Sequence, residues 1–72
     1  MPTELNKELE NYFSYHAPTQ EQIEIYQHLR QEAKAFAYTL LALVPPGPDR
    51  TVAIRKLREV VMVANQAIAC NS

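Results

Sequence analysis

Apolar residues recur along this chain at intervals of three and four in three blocks bounded by prolines or capping residues, and that spacing predicts helices throughout. The first block runs from Pro2 or Thr3 to Tyr12. Thr3 is placed to cap it, and Leu5, Leu9 and Tyr12 or Phe13 share one face. A helix that short is marginal alone and has to dock on something. The second block starts after Pro18, which holds Ala17 out of the α region. "TQEQ" reads as a capping box, with Thr19 accepting from a first-turn amide and Gln22 reaching back. From there Tyr26, Leu29, Ala33, Phe36, Ala37 and Leu40 define one buried stripe, until "VPPGPD" ends the helix. Gln20 to Val44 would span about 37 Å. In the third block, begun by Asp49 or Thr51 as cap, Ile54, Leu57, Val61, Ala64 and Ile68 form the cleanest stripe of the chain. The expected fold class is all-α, a single domain over residues 1–72. A short N-terminal helix packs near the open end of a long antiparallel hairpin, and Asn71 and Ser72 form a loose tail.

The third helix is apolar on more than its core side. Val52, Val63 and Cys70 fall on a line almost opposite the stripe, and Val60, Ala67, Met62 and Ala69 widen the apolar surface on both flanks. A hairpin covers a helix on one side only. Isolated exposed apolar residues are common on soluble proteins, but this arrangement predicts an oligomer in which third helices meet.

Size points the same way. A chain of 72 residues buries only about 60% of its unfolded surface and often needs a disulfide, a metal or a second subunit. Cys70 is the only cysteine, so no disulfide forms within the chain. His16 and His28 have no metal-ligand spacing to each other or to Cys70. Self-association remains.

Seven Lys and Arg against eight Asp and Glu leave a formal charge of −1. A basic stripe is missing, which disfavours DNA or RNA, whereas a small anion needs only a few placed cations. No apolar run approaches the ~20 residues of a membrane span, and "MPTELNKELE" lacks the pattern of a signal peptide. The expected location is cytoplasmic, away from membranes.

Catalytic constellations are absent from the pattern. Gly47 is the only glycine, so no phosphate loop can be built. Cys70 sits in an apolar run without a neighbouring base and reads as a packing residue. Glu24 and His28 read as an ordinary i,i+4 surface pair. The chain is expected not to be an enzyme and to need no cofactor.

The candidate binding residues each have a plainer explanation. Tyr15 and His16 precede the second helix, outside any helical stripe. Either ring can close the end of the hairpin, and His16 can hydrogen-bond a helix terminus. Alternatively, a ring there offers a flat face to a planar ligand. Arg30 borders the core stripe on the flank of Ile23 and Leu41. It can snorkel past them, or hold a phosphate in a groove between subunits, with Lys34 one turn on as a second cation. Arg55, Lys56 and Arg58 read as a solvated face with Glu59. Asn65 is a poor helix former in mid-helix and calls for compensation, by an inter-helix hydrogen bond before a ligand contact.

Three segments go further. "YHAPT", "YQHLRQEAKAFA" and "RTVAIRKLREVVMVANQAIACN" together cover more than half of the chain, and in this order and spacing they resemble the phage anti-CBASS protein 2 family. The resemblance implies a helical hexamer that sequesters cyclic di- and trinucleotide second messengers in the host cytoplasm, without hydrolysis, so that immune effectors receive no signal. Cyclic dinucleotides would lie between protomers, stacked on an aromatic ring with a basic residue at the phosphate. Tyr15 fits the stacking ring and Arg30 the phosphate cation, supplemented by His16 and Lys34. A second pocket, for cyclic trinucleotides, would draw on Asn65 and Asn71. Val63 and Cys70 stand where the family pattern has Trp and Arg, which puts that second pocket in doubt. The rival reading is a structural or partner-binding helical oligomer with no nucleotide ligand.

Overall fold

A computed structural model of the chain describes residues 4–71, which form three helices and no strand: α1 (Glu4–Tyr12), α2 (Gln20–Leu43) and α3 (Pro48–Cys70). The expected start at Pro2 or Thr3, the Thr3 cap and the Ser72 half of the tail lie outside the described residues. α2 and α3 pack against each other as an antiparallel hairpin, and α1 touches α3 alone. Among the described residues no helix is long and apolar enough to cross a membrane.

The start of α2 follows from four residues. Thr19 Oγ1 accepts from the Gln22 amide at 3.1 Å and the Thr19 amide donates to Gln22 Oε1 at 2.9 Å, completing the capping box. The same Gln22 side chain donates Nε2 to the Ile68 carbonyl at 3.5 Å, tying the start of α2 to the end of α3. At the other end Val44, expected as the last helical residue, is extended and serves as the cap.

α3 begins earlier than expected, and neither Asp49 nor Thr51 caps it. Pro48 opens the helix, where a missing N–H costs nothing, and Gly47 is the cap residue. Gly47 adopts φ 156° and ψ 178°, a region populated essentially by glycine. Thr51 Oγ1 instead bonds back to the Gly47 carbonyl at 3.3 Å. Arg50 donates Nη1 to the Val44 carbonyl at 3.4 Å, bridging the turn.

α1 is held by polar contacts at its last turn. Asn11 donates Nδ2 to the Cys70 carbonyl at 3.0 Å, and the Cys70 thiol lies 3.8 Å from the Asn11 carbonyl. Cys70, expected on the outward line of α3, is therefore half-buried against α1. Tyr12 and Phe13, expected as the docking core of the first helix, stay outside, Phe13 with 85% of its surface exposed.

The two predicted stripes do face each other, yet they enclose nothing. Tyr26, Leu29, Ala33, Ala37 and Leu40 on α2, and all five stripe residues of α3, reach only intermediate burial. Phe36 is 52% exposed, because its position lies about 60° off the centre of the α2 stripe and one neighbouring helix cannot cover it. No described residue is fully buried. The chain exposes 6074 Å², against about 4500 Å² for a compact monomer of this mass. Its radius of gyration is 16.0 Å, against about 11 Å for a globular chain of this length.

The Gly47 geometry gives a direct check. Gly47→Ala forces a side chain into a region it avoids and is expected to cost about 1–3 kcal/mol, although a Cβ there would meet no other atom. Denaturant titration should show the lower midpoint with helix content retained; an unchanged midpoint would mean the turn relaxes freely.

Candidate functional site

The two flanks of the hairpin differ in character. One carries a groove of about 540 Å³ with apolar residues at its base, among them Ala33, Ala37, Ile54 and Val61. Arg30 and Lys34 line it from α2, and Arg58, Met62 and Asn65 from α3. The periodicity of each helix accounts for this: residues 30 and 34 are one turn apart, and 58, 62 and 65 form a row at i, i+4, i+7. The other flank is apolar and shallow, with Leu29, Phe36, Val60 and Ala64 along it.

Charge is unevenly committed. The ion pairs between described residues are Lys7–Glu4 at 3.9 Å and Lys56–Glu59 at 3.7 Å, both exposed. Arg30, Lys34 and Arg58 take part in neither. The expected Glu24–His28 pair is not formed among the described residues. Arg55, Lys56, Arg58 and Glu59 are all exposed, as expected of a solvated face, but the ion pair is made by Lys56 with Glu59, and Arg58 also borders the groove. Sequence reasoning missed Arg58 by grouping it with its neighbours in sequence. The usable signal was angular: two helical turns separate Arg58 from Asn65, which places them about 20° apart around the axis.

Asn65 is where the sequence expectation fails most instructively. Its Oδ1 is buried and has no hydrogen-bond partner among the described residues, so the inter-helix bond expected of it is not made. An orphaned acceptor costs about 1–3 kcal/mol. Asn71 sits elsewhere. It caps α3, its amide and its Nδ2 each donating to the Ala67 carbonyl at 3.0 Å, and it lines a groove at the end of the molecule with Tyr12, Phe13, Val63 and Cys70. Asn65 and Asn71 thus belong to different surfaces, and no cation lines the second.

Tyr15 and His16 occupy the connection between α1 and α2 and line a third groove with Gln22, Ile25 and Ile68. His16 Nε2 lies 2.7 Å from the Asn11 carbonyl, at the end of α1. A carbonyl only accepts, so this nitrogen carries the proton. The structural duty foreseen for His16 is the one it performs, with Nδ1 left over. On the other side of Tyr15, Ser14 donates its hydroxyl to the Glu10 carbonyl and its amide to the Asn11 carbonyl. Both chain neighbours of Tyr15 are therefore anchored to α1, while its own ring is 87% exposed. Within one chain the Tyr15 groove and the Arg30 groove share no lining residue.

Among the described residues no three His, Cys, Asp or Glu side chains gather as a metal site would require. The Cys70 thiol accepts from Gln66 Nε2 at 3.0 Å. The model of the Acb2/Tad1 hairpin domain matches residues 5–69, which takes in all three helices but for their outermost residues, and the whole lining of the Arg30 and Tyr15 grooves. No curated protein and no solved structure matches the chain significantly.

Replacing the orphaned side chain separates stability from binding. Asn65→Ala removes an unsatisfied acceptor and improves helix propensity, so it should raise the thermal midpoint by about 4–8 °C for each kcal/mol gained. A lowered midpoint would show that Oδ1 has a partner in the assembled protein.

Proposed function

The chain belongs to the Acb2/Tad1 hairpin family, and from that premise we propose that it is a phage anti-defence protein that binds cyclic dinucleotides and withholds them from the host's immune effectors. The observation that carries this reading is the groove between α2 and α3, where cations with no carboxylate partner among the described residues stand around an apolar floor. An apolar floor suits ribose and base faces, and cations at the rim suit phosphates. Arg30 supplies a phosphate contact and Lys34 a second cation in the same groove.

Tyr15 supplies the stacking face. Its ring is free while its backbone is anchored, so the ring is presented without being used up in packing. Tyr15 and Arg30 line separate grooves of one chain, so a common ligand requires that a second protomer bring them together. The surface in excess of a compact monomer supports such an assembly. About 1500 Å² per chain is on the scale of stable protein interfaces, and Phe13, Phe36, Val60 and Val63 are its natural contacts. A homo-hexamer is the assembly this family reading favours. A cyclic trinucleotide site has weaker support, because the end groove beside Asn71 is lined by no cation.

The ligand is bound and not cleaved on this account. His16 is occupied with a carbonyl through Nε2, and Cys70 interacts with Gln66 and Asn11. Neither presents a nucleophile to the cationic groove. The competing reading, a helical oligomer that docks another protein, draws on the same exposed apolar residues.

Calorimetry with a panel of two- and three-base cyclic nucleotides distinguishes the two. Tight binding of cyclic dinucleotides is expected, with the ligand recovered intact. Loss of one stacked base or one charged contact is worth about 1–3 kcal/mol, so Tyr15→Ala and Arg30→Ala should each weaken binding by about tenfold or more. No heat with any ring would overturn the reading; hydrolysed ligand would overturn the claim of sequestration.

A further inference from the structure

Arg58 has no place in the reading so far, yet it lines the same groove as Arg30 and Lys34 and leaves Glu59 to Lys56. Its position along the hairpin matters. Lys34 precedes the α2 cap Val44 by ten residues, and Arg58 follows the first α3 residue, Pro48, by ten. Each is therefore about 15 Å from the turn, on opposite walls of one groove. Arg30 lies a further helical turn, about 6 Å, toward the open end. Three cations so placed are more than a single phosphate needs, in a chain whose formal charge is −1.

We propose that Arg58 is a ligand-binding residue that closes a clamp with Lys34 on one phosphate, while Arg30 engages a second, so that the groove selects small ligands carrying two anionic groups. The guanidinium can grip phosphate oxygens through two parallel hydrogen bonds, which a lysine cannot. Ala33 and Ala37 leave room at the floor for the ring joining the two phosphates. That this ligand is a cyclic dinucleotide rests on the function proposed above; the preference for paired anions rests on the groove itself.

The test uses the full chain with inorganic pyrophosphate and a cyclic dinucleotide as separate probes. Arginine side-chain NMR signals are followed for the wild type, Arg58→Gln and the control Lys56→Gln, with circular dichroism verifying the fold of each. Pyrophosphate should move the Arg30 and Arg58 signals together. Arg58→Gln should weaken both probes by about tenfold, a loss of about 1.4 kcal/mol, and Lys56→Gln should leave them unchanged. An Arg58 signal that pyrophosphate leaves in place, or an Arg58→Gln variant binding as tightly as Lys56→Gln, overturns the proposal even if cyclic dinucleotides bind. Pyrophosphate moving both arginines while no cyclic dinucleotide binds upholds the clamp and refutes the nucleotide reading.

Discussion

The molecule is 13 Å thick along its shortest axis, the thickness of one layer of α-helices. Stable domains are built from at least two packed layers, because an apolar stripe must be covered from the far side to leave water. Here α2 and α3 cover each other along one side only, and α1 touches α3 alone. Interactions that hold this layer together are mostly local or polar: a capping box, the Gln22–Ile68 and Asn11–Cys70 hydrogen bonds, and a glycine turn. They fix the shape without supplying a core. The apolar residues that should form one, Phe36, Val60, Met62 and Val63 among them, point to water in the single chain.

That geometry also explains where binding chemistry can sit. A one-layer hairpin has two long flanks and one open end, and residues about 60° off a core stripe line the flanks. On α2 and α3 the off-stripe positions carry Arg30 and Asn65 on one side and Phe36 and Val60 on the other. One flank, on the proposed account, takes an anion and the opposite one a second protein surface. On the proposed account the same association that completes the fold brings the anchored Tyr15 of one protomer to the cations of another. Assembly and ligand binding would then stabilise each other, since a ligand held between protomers favours the associated state by mass action.

Much of this was legible from spacing alone. Both stripes, the "TQEQ" cap, the "PPGPD" turn and the two-sided third helix follow from period and turn chemistry, which are local properties. Positions decided by competition between neighbours were not legible. Asp49 and Thr51 look like caps, but Pro48 and Gly47 take the helix start first. Arg58 looks like part of a basic run, until Lys56 captures Glu59 and the helical angle puts Arg58 beside Asn65. Burial was misjudged for Tyr12, Phe13 and Phe36 because periodicity tells which side of a helix is apolar, not whether a second layer of the same chain exists to cover it. Tyr15 could be singled out as a ring without a packing role, but the anchoring of its two neighbours to α1 is a matter of three dimensions.

The central claim is that this hairpin is completed by copies of itself. It is tested most directly by the dependence of thermal unfolding on protein concentration, followed by circular dichroism alongside sedimentation mass. For a chain that leaves no described residue buried, loss of helix and dissociation should coincide, and the midpoint should rise with each dilution step reversed. A species of 8.2 kDa that melts cooperatively at a temperature independent of concentration would contradict the account.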